Sequence, residues 1–290
     1  MEGKVLRFDR TRILVVGLRA QRQQLTIFQS SILHFTPRHP PTPPLTTPPH
    51  PPLIPLSPPP LQSGATGLIP ESTISPAPEL LKYEDIKATP DASLLSQTVV
   101  LKLNGGLGTG MGLDKAKSLL KVKGNDTFLD LAAKQVLSMR ENYGNVKFML
   151  MNSFSTSDDT MSFLKDKYPS LVDDVEMLQN KVPKLDRETF LPATCATNPD
   201  NEWCPPGHGD LYAALVGSGK LDSLLADGIK YMSVSNSDNL GATMDLSLLA
   251  HFAASDAPFM MECCERTEND KKGGHLAQRN SDSQLILRER

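Results

Sequence analysis

Between Pro37 and Pro60, 13 of 24 residues are proline. Each proline fixes φ and lacks a backbone donor, so neither helix nor sheet can run through that stretch. Polyproline II or disorder is what such a string allows, and it divides the chain into two unlike parts. Seventeen of the 24 prolines lie at or before Pro90. Through residue 75 there are seven Lys/Arg against three Asp/Glu, a net of +4, whereas the remainder carries 23 against 30, a net of −7. The organisation expected is a disordered, basic, proline-dense leader over 1–75 and an acidic folded domain over 76–290.

The leader admits several uses. PxxP spacings within Pro37–Pro60 fit an SH3 or WW ligand, and a plain spacer accounts for them as well. Met1–Thr36 is rich in arginine and poor in acids. Arg12 and Arg19 bracket only six residues, Ile13–Leu18, too few for the apolar core of a secretory signal. An organelle transit peptide, a lineage-specific extension and a misassigned gene start all stay open. The whole chain has a net charge of −3 and a pI of about 6.1, which offers no electrostatic reason for a nucleic-acid partner. No apolar run approaches the roughly 18–20 residues of a membrane-spanning helix. A cytoplasmic protein without nucleic-acid or membrane partners is expected, with organelle targeting by the basic N-terminus as the alternative.

From about Ser75 the pattern becomes that of an α/β domain. Strands are expected at Thr98–Leu103, Val146–Met151, Lys230–Ser235 and Pro258–Cys264. Helical spacing covers Thr127–Tyr143, with Asp126 as N-cap, then Ser157–Tyr168, bounded by Pro169. Further helices are expected over Asp210–Leu225, interrupted near Gly217 and Gly219, and over Asp245–Ala254. Strands alternating with helices predict a mixed, mostly parallel sheet flanked by helices, Rossmann-like in layering, with ligands at the carboxyl ends of the strands. Cys195, Cys204, Cys263 and Cys264 form no CxxC pair. Free buried thiols in a reducing compartment are expected, with a zinc site from Cys204, His208 and a later cysteine as the alternative.

The chemistry concentrates in Asn104-Gly-Gly-Leu-Gly-Thr-Gly-Met-Gly112, five glycines in eight residues directly after a strand. Such density lets backbone amides approach a ligand with no Cβ in the way, which suits phosphates. Two common phosphate motifs fail on spacing. GxGxxG from Gly106 and Gly108 would need glycine at Met111, and GxxxxGK[ST] fails because Ala116 precedes Lys117-Ser118. What stands is a nonstandard glycine loop with Lys117 five residues past its last glycine.

Lys102-Leu-Asn-Gly-Gly-Leu-Gly-Thr-Gly-Met-Gly112 with Ala116-Lys117-Ser118 resembles the nucleotide loop of the eukaryotic-type UTP–glucose-1-phosphate uridylyltransferases. Four further blocks match in order: Gln179-Asn-Lys-Val-Pro-Lys184, Pro205-Pro-Gly-His-Gly-Asp210, Ser235-Asn-Ser-Asp-Asn-Leu-Gly-Ala242 and Asp270-Lys-Lys-Gly-Gly-His275. The five blocks span about two thirds of the chain. The resemblance implies the nucleotide-diphospho-sugar transferase fold and attack by glucose 1-phosphate on the α-phosphorus of UTP, forming UDP-glucose and pyrophosphate. It places Leu103, Asn104, Gly105 and Gly106 on the nucleotide and Lys117 on the triphosphate. Gln179 becomes the uracil reader, since an amide offers the donor and acceptor that an imide edge requires. Gly207 lies beside the base, His208 contacts the sugar phosphate, and Asn236 lies near substrate. Asp238 becomes a ligand of Mg2+, and Gly273 and Gly274 lie near the hexose.

The same resemblance implies further family segments beyond Arg290: more sugar contacts, a second phosphate-binding lysine and a β-helical domain. The catalytic domain is then incomplete and C-terminally truncated, its last segment, 276–290, ending on a strand with no closing element. Little or no turnover is expected of such a chain. A UDP-sugar or UDP-N-acetylhexosamine pyrophosphorylase, and a non-catalytic nucleotide-binding fragment with a proline-rich interaction segment, are the alternatives.

Overall fold

The computed structural model describes residues 4–8, 14–17, 68–108, 115–255, 257–264 and 274–288. In chain order the strands are Lys4–Phe8 (β1), Leu14–Gly17 (β2), Ile74–Pro76 (β3), Leu81–Lys82 (β4), Thr98–Asn104 (β5), Lys121–Lys123 (β6), Asp126–Thr127 (β7) and Lys147–Asn152 (β8). They continue with Glu176–Leu178 (β9), Val182–Pro183 (β10), Trp203–Cys204 (β11), Tyr231–Asn236 (β12), Phe259–Cys264 (β13), His275–Arg279 (β14) and Leu285–Arg288 (β15). The α-helices are Phe128–Tyr143 (α1), Ser157–Lys167 (α2), Asp210–Gly217 (α3), Lys220–Ala226 (α4) and Leu246–Ala253 (α5).

The main sheet has the order β4-β1-β13-β2-β12-β5-β8-β9. Every neighbouring pair is parallel except those of β2, which runs antiparallel to both β12 and β13. This is the mostly parallel, helix-flanked α/β sheet that the alternating pattern predicts. Strand β5 is buried over six of its seven positions, as a strand covered on both faces must be. Its side chains alternate between two cores. Val99 and Leu101 join Leu211 and Leu215 of α3 and Leu224 of α4. Val100 joins Leu129 and Val136 of α1, Leu164 of α2 and Leu249 of α5. Truncating one such leucine to alanine costs about 2–5 kcal/mol. Because Lys102 and Asn104 share the parity of Val100, both turn toward the α1, α2 and α5 side.

Several sequence expectations shift. Helix α1 is capped by Thr127 rather than Asp126: the Thr127 Oγ1 accepts the Asp130 N–H at 3.1 Å, and Asp130 Oδ2 accepts the Thr127 N–H at 2.8 Å. Asp126 pairs with Lys134 at 2.6 Å instead. The expected break over Asp210–Leu225 is present, with Gly219 at φ 74° separating α3 from α4. That conformation strains any residue with a Cβ, so glycine makes the break.

Within the expected leader, only β1 and β2 are described before Leu68, and both pair in the main sheet. Strand β2 lies between β12 and β13 and runs antiparallel to both. Described chain resumes at Leu68, with β3 pairing antiparallel to β14. The Pro37–Pro60 segment and its SH3 or WW expectation lie outside the described residues. At the other end, the last described element within 276–290 is the strand β15, at the edge of its sheet. Strands β14 and β15 pair antiparallel and with β3 form a separate three-stranded sheet. All four cysteines are free thiols, and each is partly exposed rather than buried. No described helix is long and apolar enough to cross a membrane.

Candidate active site

Most of the sequence-predicted residues lie at or beyond the carboxyl ends of β5, β9 and β12. Beyond β5 the glycine loop folds back on itself: the Lys117 N–H donates to the Gly106 carbonyl at 3.1 Å, and the Gly108 N–H to the Lys115 carbonyl at 3.3 Å. The turn returns Lys117 to the mouth of the sheet, with its side chain 41% exposed. There its ammonium meets Asp238, beyond β12, at 2.5 Å. The Ser237 N–H donates to the Leu103 carbonyl at 3.0 Å, so the loop carrying Asp238 is seated on the end of β5.

Gln179 follows β9 and is buried, its N–H donating to the Asn152 carbonyl at 2.9 Å. Its amide packs against Gly105: a Cβ there would come within 1.9 Å of Gln179 Nε2, so any larger residue must push the amide aside. Asn104 has its side-chain amide engaged within the protein, donating to Asn152 Oδ1 at 2.7 Å and Thr160 Oγ1 at 3.0 Å beside the loop.

Gly207 and His208 are exposed just before α3. Gly207 has φ 116°, a backbone that disfavours any other residue. The sequence gives no sign of what ties this block to Gln179, namely Asp210. Its Oδ2 accepts the Asn180 N–H at 2.6 Å and its Oδ1 accepts the Asn180 side-chain amide at 2.9 Å. Asn236 is exposed at the end of β12. Gly274 immediately precedes β14, and Gly273 lies outside the described residues.

Lys102 is the second residue that sequence reasoning passed over. It is 3% exposed, and its ammonium donates to Ser235 Oγ at 2.8 Å and to the Ala242 carbonyl at 2.9 Å. Burial lowers its pKa to about 8. A lysine inside the apolar run TVVLKL was the available signal.

For magnesium the donor set fits in a limited way. One carboxylate, Asp238, with triphosphate oxygens and water suits an ion that keeps much of its hydration. No group of three or more His, Cys, Asp or Glu among the described residues could hold a metal, so the zinc arrangement from Cys204 and His208 does not form there.

A glycine loop, a lysine and a carboxylate meet at the ends of a mostly parallel sheet, where an open α/β fold presents its ligand groups. The family model described as UTP–glucose-1-phosphate uridylyltransferase matches residues 62–289. The UTP–glucose-1-phosphate uridylyltransferase of Solanum tuberosum is 44% identical over 195 residues, 67% of this chain and 41% of that protein. The crystal structure of a Trypanosoma brucei UDP-glucose phosphorylase is 51% identical with a TM-score of 0.74, over 79% of this chain and 50% of that one. A mutant of Leishmania major UDP-glucose pyrophosphorylase, in complex with UDP-glucose, is 50% identical with a TM-score of 0.73, over 79% and 51%. The chain belongs to the UTP–glucose-1-phosphate uridylyltransferase family, whose members are nucleotidyltransferases. It spans about half the length of these relatives.

Proposed function

We propose that this chain supplies the nucleotide side of a site that forms UDP-glucose and pyrophosphate, reversibly, from UTP and glucose 1-phosphate. The observation that carries the reading is the meeting of Lys117 and Asp238 beside Gly105–Gly106, with Gln179 packed on the same glycine. In the reaction a phosphate oxygen of glucose 1-phosphate bonds to the α-phosphorus of UTP, and the bond from that phosphorus to the bridging oxygen breaks. Pyrophosphate carries away the electron pair. Such transfers depend on positioning and on neutralising charge rather than on covalent help from the protein.

The residues divide the work. Glycines 105 and 106 let backbone approach the phosphates, and the Gln179 amide pairs with the uracil edge. Lys117 follows charge onto the leaving group, as a compact ammonium on a flexible stem can. His208 faces the sugar phosphate, Asn236 lies near substrate, and Gly273 and Gly274 border the hexose. Asp238 is the magnesium ligand, and the ion would offset charge on the triphosphate.

Titration calorimetry with the four nucleoside triphosphates, with and without magnesium, tests the nucleotide reading. Saturable binding that favours UTP over CTP is expected, and equal binding of all four would overturn it. Pyrophosphate-dependent UTP formation from UDP-glucose tests the reaction itself.

A further inference from the structure

Asn236 and Asp238 sit on a loop whose two ends are Ser235 and Ala242. Both ends are held by one atom. The Lys102 ammonium donates to Ser235 Oγ, just before the loop, and to the Ala242 carbonyl, at its close. Further ties lie between these points: the Ser237 N–H to the Leu103 carbonyl at 3.0 Å, Gln135 Nε2 to the Leu240 carbonyl at 3.1 Å, the Lys117–Asp238 ion pair, and the Asn239 and Ala242 N–H groups to the Asn236 and Asn239 carbonyls. We propose that Lys102 is a positioning residue, a buried clasp that fixes the Asn236–Ala242 loop so that Asp238 is presented to the nucleotide beside Lys117. The inference rests on the proposed function for the identity of that ligand, but not for the clasp itself.

Energetics favour a directed role over a packing one. A buried ammonium facing a hydroxyl and a carbonyl, with no carboxylate bonded to it among the described residues, is less favourable than an apolar side chain of equal length. Burial lowers the Lys102 pKa to about 8, which registers that cost while leaving the group mainly charged at neutral pH. The lysine adds what methionine could not, two hydrogen bonds spanning the base of one loop. They join residues 133 and 140 positions away in sequence to β5. Because β5 also carries Leu103 and leads into Gly105, the clasp places glycine loop and Asp238 loop on one rigid strand.

Two measurements on the native chain, Lys102→Met and Ser235→Ala test this. The first is peptide-resolved hydrogen exchange without ligand, and the second is UTP affinity with and without magnesium. In Lys102→Met, exchange over 236–243 should quicken roughly tenfold while β5 and β8 stay protected, with the melting midpoint unchanged or higher. The magnesium-dependent gain in UTP affinity should fall about tenfold, with magnesium-free affinity changed less than about threefold. Unchanged exchange over 236–243 would overturn the proposal. So would faster exchange spread through the sheet with a lower midpoint, which marks a plain core residue. If Lys102→Met does not fold, Ser235→Ala must show a smaller version of the local effect, and its absence overturns the clasp. Failure of the native chain to bind UTP would remove the nucleotide reading, while the exchange data still decide Lys102.

Discussion

The Lys117 ammonium and the Asp238 carboxylate form an ion pair at 2.5 Å across the mouth of the sheet, joining residues 121 positions apart. Both side chains are partly exposed, at 41% and 27%, so the pair contributes little stability, about 0–1 kcal/mol. Its components are therefore available for a ligand. Lys117→Ala should leave the melting midpoint nearly unchanged yet weaken UTP binding about tenfold, by calorimetry. In a form that turns over, the rate should fall roughly 10²-fold or more, as for a group that stabilises transition-state charge. An unchanged affinity and rate would remove Lys117 from the site.

Asp238→Asn should act in opposite directions with and without magnesium. Removing a negative charge next to a triphosphate raises magnesium-free UTP affinity by Coulomb's law. Removing the metal ligand reduces the gain that magnesium brings. Equal effects in both conditions would show that Asp238 does not touch the ion.

Gly105→Ala should displace Gln179, because the new Cβ would lie 1.9 Å from Nε2. The amide end can swing away, so the stability cost should stay below about 2 kcal/mol. Discrimination of UTP from CTP should fall about tenfold, since a misplaced amide no longer matches the imide edge. Gln179→Ala should lower discrimination to the same level, and the double variant should add nothing. Additive losses would argue that the two residues act separately.

Lys102 makes a pH prediction with a definite sign. Its pKa is lowered from 10.5 to about 8 by burial. Between those values the unfolded chain holds a proton that the folded chain has lost, so stability rises with pH across that window. Below about pH 8 both states carry the charge and its burial cost is fully present. Lys102→Met should abolish this rise and be more stable at pH 7, by up to about 3 kcal/mol. Urea unfolding of both forms at pH 7 and pH 9.5 measures the difference.

Asp130 acts at the acid end. Burial pushes its pKa up, but bonds from Thr127 and Tyr168, with Lys167 nearby, outweigh burial and hold it below the usual 3.8. The Tyr168 hydroxyl donates to its Oδ1 at 2.8 Å, and burial with this bond raises the tyrosine to about 12. The stabilisation by Asp130 is present above pH 3.8 and disappears as pH falls through the folded value. Asp130→Asn should cost about 1–2 kcal/mol at pH 7 and much less at pH 2, by urea unfolding.

Much of the scaffold was legible because it is encoded locally. The run TVVL announces a strand buried on both faces, and β5 carries it into two cores. Glycine density announces close backbone approach, and Gly105 packs on Gln179. The Gly217–Gly219 interruption appears where expected. Misreadings arose where a residue had two local options, as with Asp126 and Thr127 at the start of α1.

By itself the sequence determined the alternation of strands and helices, the glycine loop after β5 and the motif blocks of the family, since dihedral preference and burial period act over a few residues. Which motifs meet was decided only by tertiary structure. Lys117 finds Asp238, Lys102 finds Ser235 and Ala242, and Asn180 finds Asp210 because strand order sets adjacent ends side by side. Strand order follows from packing two apolar cores against one sheet, a property of the whole chain that no local spacing records.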